Sequence, residues 1–304
     1  MQRRRRLLEL SRLRIDLAGF VALFLSLAMC EFRFEGSGMI RAENLAAQCE
    51  ITSGMLPISD TVPRRNPPVM TWILILANVI VFLCELMMSE YTLERFFYFF
   101  GIVPARFTHP AWAAWVGLPI DDYWPFLTSM FLHSGWLHII GNMWTLWIFG
   151  DNVEDRMGPI RFLFFYLLCG IAAGIVHSLT NPDSMMPAVG ASGAIAGVLG
   201  AYFFLFPYAR IVVLIPVFIF PFFFEMPAVL YLGFWILTQV FSGTLALATP
   251  EQVGGVAWWA HVGGFTAGII LHFFFVKRGY RRPARDEYGI DNAWVPYRYW
   301  GHNR

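Results

Sequence analysis

The chain has 304 residues, of which 57% are hydrophobic and 17% aromatic, while only 14% are charged and the formal net charge is +1. A charged share far below the roughly 25% of soluble domains excludes an ordinary water-soluble module, and no basic, aromatic-laced patch favours nucleic acid. Several apolar runs reach the roughly 20 residues that cross a hydrocarbon core, so composition predicts an all-α polytopic membrane protein.

Residues 1–54 fit this picture poorly. Met1–Arg14 is strongly basic, and Ile15–Cys30 is a short apolar run containing Asp16. As a seventh span or a signal peptide it would invert everything downstream. The expectation is that the working protein starts at or near Met55, with 1–54 an N-terminal extension or a mispredicted start.

The first predicted span runs from about Met70 to Met88. A long insert follows, Ser89 to Ser129, whose Phe96-Phe97-Tyr98-Phe99-Phe100 run and Trp112, Trp115 and Trp124 suit a membrane-interface element. The second span, Ser134 to Gly150, is preceded by His133 and carries His138 and Asn142, which are four apart and so share a helix face. Two donors on one face suit an oxyanion hole, joined by a backbone N–H at a helix start. No third ligand stands at helical spacing, so a metal is not expected there.

The third span covers Ile160 to Thr180 and the fourth Gly190 to Pro207, opening on Gly190-Ala191-Ser192-Gly193. The apolar segment Ile211 to Phe224 is broken by Pro216 and Pro221, which predicts an interfacial or re-entrant turn instead of a straight helix. The fifth span covers Pro227 to Phe241. The sixth, Val256 to Val276, contains Ala260-His261-Val262-Gly263-Gly264. A polar tail, 278–304, closes the chain. The second and fourth spans are short, which is tolerated where a helix end lines a wet cavity.

Orientation follows the basic flanks. Arg64 and Arg65 precede the first span, Arg156, Arg161 and Arg210 lie between later ones, and Lys277, Arg278, Arg281, Arg282 and Arg285 follow the sixth. Six spans with both ends cytoplasmic satisfy all of them, and a bacterial plasma membrane is the simplest location. Cys30, Cys49, Cys84 and Cys169 have no CxxC or metal-ligand spacing, and neither disulfide nor cofactor is expected.

Two polar groups open small-residue helices. Gly193, Gly197 and Ala201 recur at spacing four after Ser192, and Ala260, Gly264 and Gly268 recur at the same spacing beside His261. Such stripes let helix backbones pack closely in lipid. If they face each other, the Ser192 hydroxyl and the His261 imidazole meet at matching ends, as general-base activation requires. Taken singly, Ser192 reads as a helix N-cap and each stripe as plain packing. Together they favour a serine nucleophile with a histidine base.

The motifs His133-x4-His138-x3-Asn142, Gly190-x-Ser192-Gly193 and Ala260-His261-x-Gly263-Gly264, in this order, resemble the rhomboid family of intramembrane serine proteases. The resemblance covers about Met55 to Lys277, the expected 55–277 core. It implies a six-transmembrane-helix bundle with a membrane-embedded first loop, acting on transmembrane segments of other membrane proteins. By the same match Ser192 attacks the scissile carbonyl, His261 serves as base and then acid, and His138, Asn142 and the Ser192 amide hold the oxyanion. His133, Gly190, Gly193 and Gly264 take supporting roles, and Glu154, Asp155, Arg156 and Gly158 resemble a bracing turn. Many members pack an aromatic one turn after the nucleophile against the histidine, whereas this chain has Ala196, so other neighbours must orient the ring. The Trp-Arg dipeptide that many members carry in the first loop is also absent. A substrate would arrive past the fifth span, making Phe234, Trp235 and Phe241 candidates for a lateral gate and Gln252–Gly255 a candidate cap. The competing readings are a non-catalytic member that binds transmembrane clients, and a transporter; the latter lacks the internal repeat it calls for. Oligomeric state is not legible.

Overall fold

The computed structural model describes residues 55–217, 220–248 and 256–277. The expected extension 1–54, the tail 278–304 and the candidate cap Gln252–Gly255 lie outside the described residues.

Helix α1, Val69–Leu86, starts directly after Pro67 and Pro68 and buries Leu74, Asn78, Phe82 and Glu85 along one face. Its opposite face exposes Ile73, Leu76, Ile80 and Leu83, the reverse of a water-soluble helix. The start of α1 is held from a distance. The Glu154 carboxylate accepts the Met70 and Thr71 backbone N–H groups at 2.9 and 2.8 Å and the Thr71 hydroxyl at 2.8 Å. A carboxylate suits this spot because the first N–H groups of a helix have no intrahelical acceptor and carry partial positive charge.

The insert that follows folds into four short helices: α2 (Glu90–Phe100), α3 (Ala105–Thr108), α4 (Pro110–Trp115) and α5 (Pro125–Thr128). The fully buried Arg106 ties them together. It donates to the carbonyls of Pro119 and Phe99 and, at 3.1 Å, to the Asp122 carboxylate. Trp115, Tyr123 and Trp124 stay exposed.

Helix α6, Trp136–Met157, continues into α7, Pro159–Thr180, across Gly158. Gly158 sits at φ +82°, a left-handed conformation that favours glycine, and proline at the first position of α7 gives up no helical hydrogen bond. Around this corner Asp155 accepts from the Asn66 amide, and the Arg156 guanidinium lies 4.6 Å from the Phe206 ring centre. The turn resembling a family brace thus contacts both the start of α1 and Phe206, which ends the helix Ser192–Leu205.

Helix α8, Ser192–Leu205, is buried almost throughout, and the core surrounds it. Helices α9, Ala228–Ala248, and α10, Trp258–Phe275, complete the bundle. Leu230, Phe234, Leu237, Phe241 and Leu245 form an exposed apolar stripe on α9. Among the described residues four helices are long and apolar enough to cross a membrane: α1, α7, Ala228–Leu247 of α9, and α10.

The fold is mostly helical but not all-α. Strands β2 (Arg210–Val217) and β3 (Phe220–Pro227) form an antiparallel hairpin, and β1 (Leu56–Asp60) pairs with the free edge of β2. The expected interfacial or re-entrant turn at Ile211–Phe224 is corrected to this hairpin. The two prolines face each other near its end, and the β-branched run Ile211-Val212-Val213 buries alternate residues, Ile211 and Val213. Asp60 fastens β1 to the bundle by accepting from the Tyr202 hydroxyl and the Asn152 amide, both at 2.6 Å.

Candidate active site

The segment leading to α8 is set by the insert. Ile102 and Ala188 exchange backbone hydrogen bonds of 3.0 and 2.8 Å, and the Gly190 N–H donates to the Ser129 carbonyl at 2.9 Å. Gly190 then turns the chain at φ +127°. A Cβ there would lie 2.6 Å from His138 Nε2, so both the backbone conformation and the closeness of the imidazole require glycine.

Ser192 is the first residue of α8, and the cap position belongs to Ala191 with no side-chain cap bond. The N-cap role that a serine at a helix start suggests is therefore not what its hydroxyl does. Instead Ser192 Oγ lies 2.9 Å from Nε2 of His261, on the first turn of α10. The two helices approach closely enough for this because of glycine. A Cβ on Gly264 would collide with the Gly193 carbonyl oxygen, one on Gly268 with that of Gly197, and one on Gly200 with that of Phe265. The predicted stripes do face each other, with Gly200 in the seam where Ala201 was expected. Gly193 meanwhile faces α7, where an added Cβ would lie 2.7 Å from the Ala173 methyl.

His138 and Asn142 project from α6 toward Gly190. The Ser134 hydroxyl and His138 Nδ1 are 3.1 Å apart, leaving Nε2 turned to Gly190. The Asn142 Nδ2 is buried without a partner among the described residues, an amide donor held ready. The Ser192 N–H, at the first position of its helix, has no intrahelical acceptor either. His138 and Asn142 thus meet the chain at Gly190, two residues before Ser192. His133 stands behind them: its ring packs edge-on to His138 at 5.1 Å, and its backbone N–H donates to the buried Glu85 carboxylate at 3.3 Å.

An open cleft of about 380 Å³, mouth included, reaches Ser192 between Met130, His177, Val189, Ala257 and Ala260. Of the gate candidates, Phe234 and Phe241 point outward from α9, while Trp235 packs against His261 with ring centres 5.8 Å apart. Sequence reasoning missed Gln239, whose Oε1 is 2.7 Å from His261 Nδ1, as well as Glu85 and His177. A polar residue inside an apolar span was the available signal for Glu85 and Gln239. Among the described residues no three His, Cys, Asp or Glu side chains come together as metal ligands would.

The chain matches relatives of known family. It is 31% identical over 154 residues to "Rhomboid protein 1, mitochondrial" of Saccharomyces cerevisiae, covering 49% of this chain and 41% of that protein. It is 30% identical over 164 residues to "RHOMBOID-like protein 1" of Arabidopsis thaliana, covering 52% and 36%. Against "Rhomboid protease GluP" of Bacillus subtilis it is 42% identical over 80 residues, 26% of this chain and 15% of the relative. The matched stretches thus span less than half the length of each relative. The model of the Rhomboid domain matches residues 121–278, which hold His133, His138, Asn142, Ser192, Gln239 and His261, and with the apolar helices around them this makes the chain a multi-pass membrane protein of the rhomboid family.

Proposed function

We propose that this chain is an intramembrane serine endopeptidase that cleaves transmembrane segments of other membrane proteins with a Ser192–His261 dyad. The observation that carries the reading is the 2.9 Å contact between Ser192 Oγ and His261 Nε2. As the hydroxyl oxygen attacks the scissile carbonyl, its proton passes to Nε2. The carbonyl oxygen becomes an oxyanion held by His138, the Asn142 amide and the Ser192 N–H. The imidazolium then protonates the departing amine, and water, activated by the same ring, releases the acyl group from Ser192. The residues suffice for each step without a cofactor.

In this reading α1, α6, α7, α8, α9 and α10 are six crossings. Helix α8, with 14 residues, is about 21 Å long at 1.5 Å per residue, short of a roughly 30 Å hydrocarbon core. Its first residue therefore lies below the membrane surface. The basic flanks, from Arg64 and Arg65 to Lys277, put both ends of this core in the cytoplasm, so the cleft at Ser192 opens to the opposite side and admits water from there. The exposed tryptophans of the insert lie in that outer leaflet. The named relatives divide among mitochondria, a plant and Bacillus, and they lend no support to a bacterial plasma membrane in particular.

The test is cleavage of a transmembrane reporter by the purified protein, Ser192→Ala and His261→Ala. Activity in the wild type alone is expected. Cleavage surviving in both variants overturns the dyad, and a wild type that binds the reporter without cleaving it favours the client-binding alternative.

A further inference from the structure

Resting on the dyad reading above, we propose that Gln239 of α9 is a positioning residue that fixes the tautomer of His261 through a hydrogen-bond chain of one sense. A general base facing Ser192 must present an unprotonated Nε2, so the imidazole proton has to sit on Nδ1. Nothing about an isolated imidazole enforces this. In the structure, Nδ1 lies 2.7 Å from Gln239 Oε1, and both side chains are buried, with relative exposures of 2% and 3%.

An amide can turn either end to its partner, and only its oxygen gives the useful tautomer. The neighbouring hydroxyl settles which. Thr238 Oγ1 donates to the Trp235 carbonyl at 2.6 Å, which uses its only proton. What remains on that oxygen are lone pairs, and they accept from Gln239 Nε2 at 3.3 Å. With its nitrogen occupied there, the amide presents Oε1 to His261, which must donate from Nδ1. Nε2 is then an acceptor for the Ser192 hydroxyl at 2.9 Å. The chain runs in one sense, from Ser192 through His261, Gln239 and Thr238 to a backbone carbonyl. Trp235, one helical turn before Gln239, packs against the same imidazole and holds the ring in plane for both bonds.

The experiment compares the full-length protein with Gln239→Leu, Gln239→Glu and Thr238→Val on the transmembrane reporter, with rates normalised to folded enzyme by size exclusion and thermal unfolding. Losing the correct tautomer costs about 10⁴-fold where a carboxylate plays this part, and a neutral amide is worth less. In Gln239→Leu, kcat falls on the order of 100-fold while KM stays within about twofold. In Gln239→Glu, which still offers an oxygen acceptor to Nδ1–H, kcat recovers to within about tenfold of wild type. Thr238→Val frees the amide to flip and lowers kcat about threefold to tenfold. Labelling of Ser192 by a fluorophosphonate falls in step with kcat in each case. Wild-type kcat in the leucine variant, or a glutamate variant as slow as the leucine one, overturns the assignment. If the leucine variant does not fold, Gln239→Met, of matching length and without an acceptor, replaces it under the same criteria. Inactive Ser192→Ala and His261→Ala beside a fully active Gln239→Leu would remove Gln239 alone, whereas cleavage by Ser192→Ala would remove the dyad and this inference with it.

Discussion

Replacing Gly190 by alanine tests how the proposed oxyanion donors are held. The new methyl would stand 2.6 Å from His138 Nε2 and 2.8 Å from Cε1, where ordinary contact begins at 3.4 Å, so ring and backbone must separate by 3.4 − 2.6 = 0.8 Å. Retaining φ +127° with a Cβ adds about 1–3 kcal/mol of backbone strain. The cheaper relaxation is rotation or retreat of His138, which breaks its 3.1 Å bond with Ser134 and withdraws its donor from the hydroxyl. Loss of one such donor lowers kcat by about 100- to 1,000-fold. The assay is reporter cleavage in micelles, with thermal unfolding measured on the same samples.

Activity alone does not separate a displaced donor from a damaged fold, so the double variant decides. If Gly190→Ala acts by withdrawing His138, then His138→Ala added to it costs little more, within about threefold, because the donor is already lost. Costs that multiply to the product of the two single effects would refute the reasoning, as would a Gly190→Ala enzyme within threefold of wild type.

The strap formed by β1 is expected to respond to pH through Asp60. Burial pushes its carboxyl up to about 7, against the lowering effect of the Tyr202 hydrogen bond. A carboxyl raised on folding contributes stability that is complete below its ordinary value near 4 and is lost as pH rises through about 7. Protection of residues 56–60 from hydrogen exchange therefore declines between about pH 4 and 7, and Asp60→Asn flattens the profile; an unchanged slope in that variant sinks the assignment. Glu154→Gln removes one charged acceptor from the start of α1 and turns an N–H₂ toward N–H donors, at about 3 kcal/mol. The unfolding temperature drops while kcat per folded enzyme holds, and an unaltered unfolding temperature would show that Glu154 does not cap α1.

What the sequence revealed was what repeats locally. Glycines at spacing four announce the α8–α10 seam because helix geometry turns that spacing into one face, and His138 and Asn142 announce a shared face for the same reason. Four of the apolar runs were legible by length alone, those that become α1, α7, α9 and α10. The sheet was not, because β1 and β2 pair residues about 150 positions apart, and an apolar run with two prolines reads as a broken helix before its partner is known. Gln239 escaped notice for a similar reason. Its partner is 22 residues away on another helix, and a lone glutamine near the end of an apolar span carries no periodic signal.

The departure at position 196 and the unexpected role of α9 have one physical cause. Ala196 is fully buried, and its methyl lies 3.3 Å from where a Cβ on Gly264 would sit, so a larger side chain at 196 would force α10 away from α8. Closing that seam leaves the imidazole without an aromatic neighbour from the helix that Ser192 opens. Trp235 supplies one from α9, reaching both His261 and Phe265, and Gln239 supplies the hydrogen bond one turn later. Support for the ring comes not from the most buried helix of the bundle but from α9, the least buried of the four long apolar ones, with 22% of its most apolar stretch buried. Any outward movement of α9 that opened a lateral path for substrate would therefore remove both supports from His261 together. Tethering α9 to α10 by a disulfide between cysteines placed at Gly243 and Trp258, whose Cβ atoms would lie 3.2 Å apart, isolates this dependence. The oxidised enzyme should label normally with a small fluorophosphonate yet cleave the transmembrane reporter at least tenfold more slowly. Full reporter cleavage in the tethered enzyme would show that substrate reaches Ser192 without moving α9.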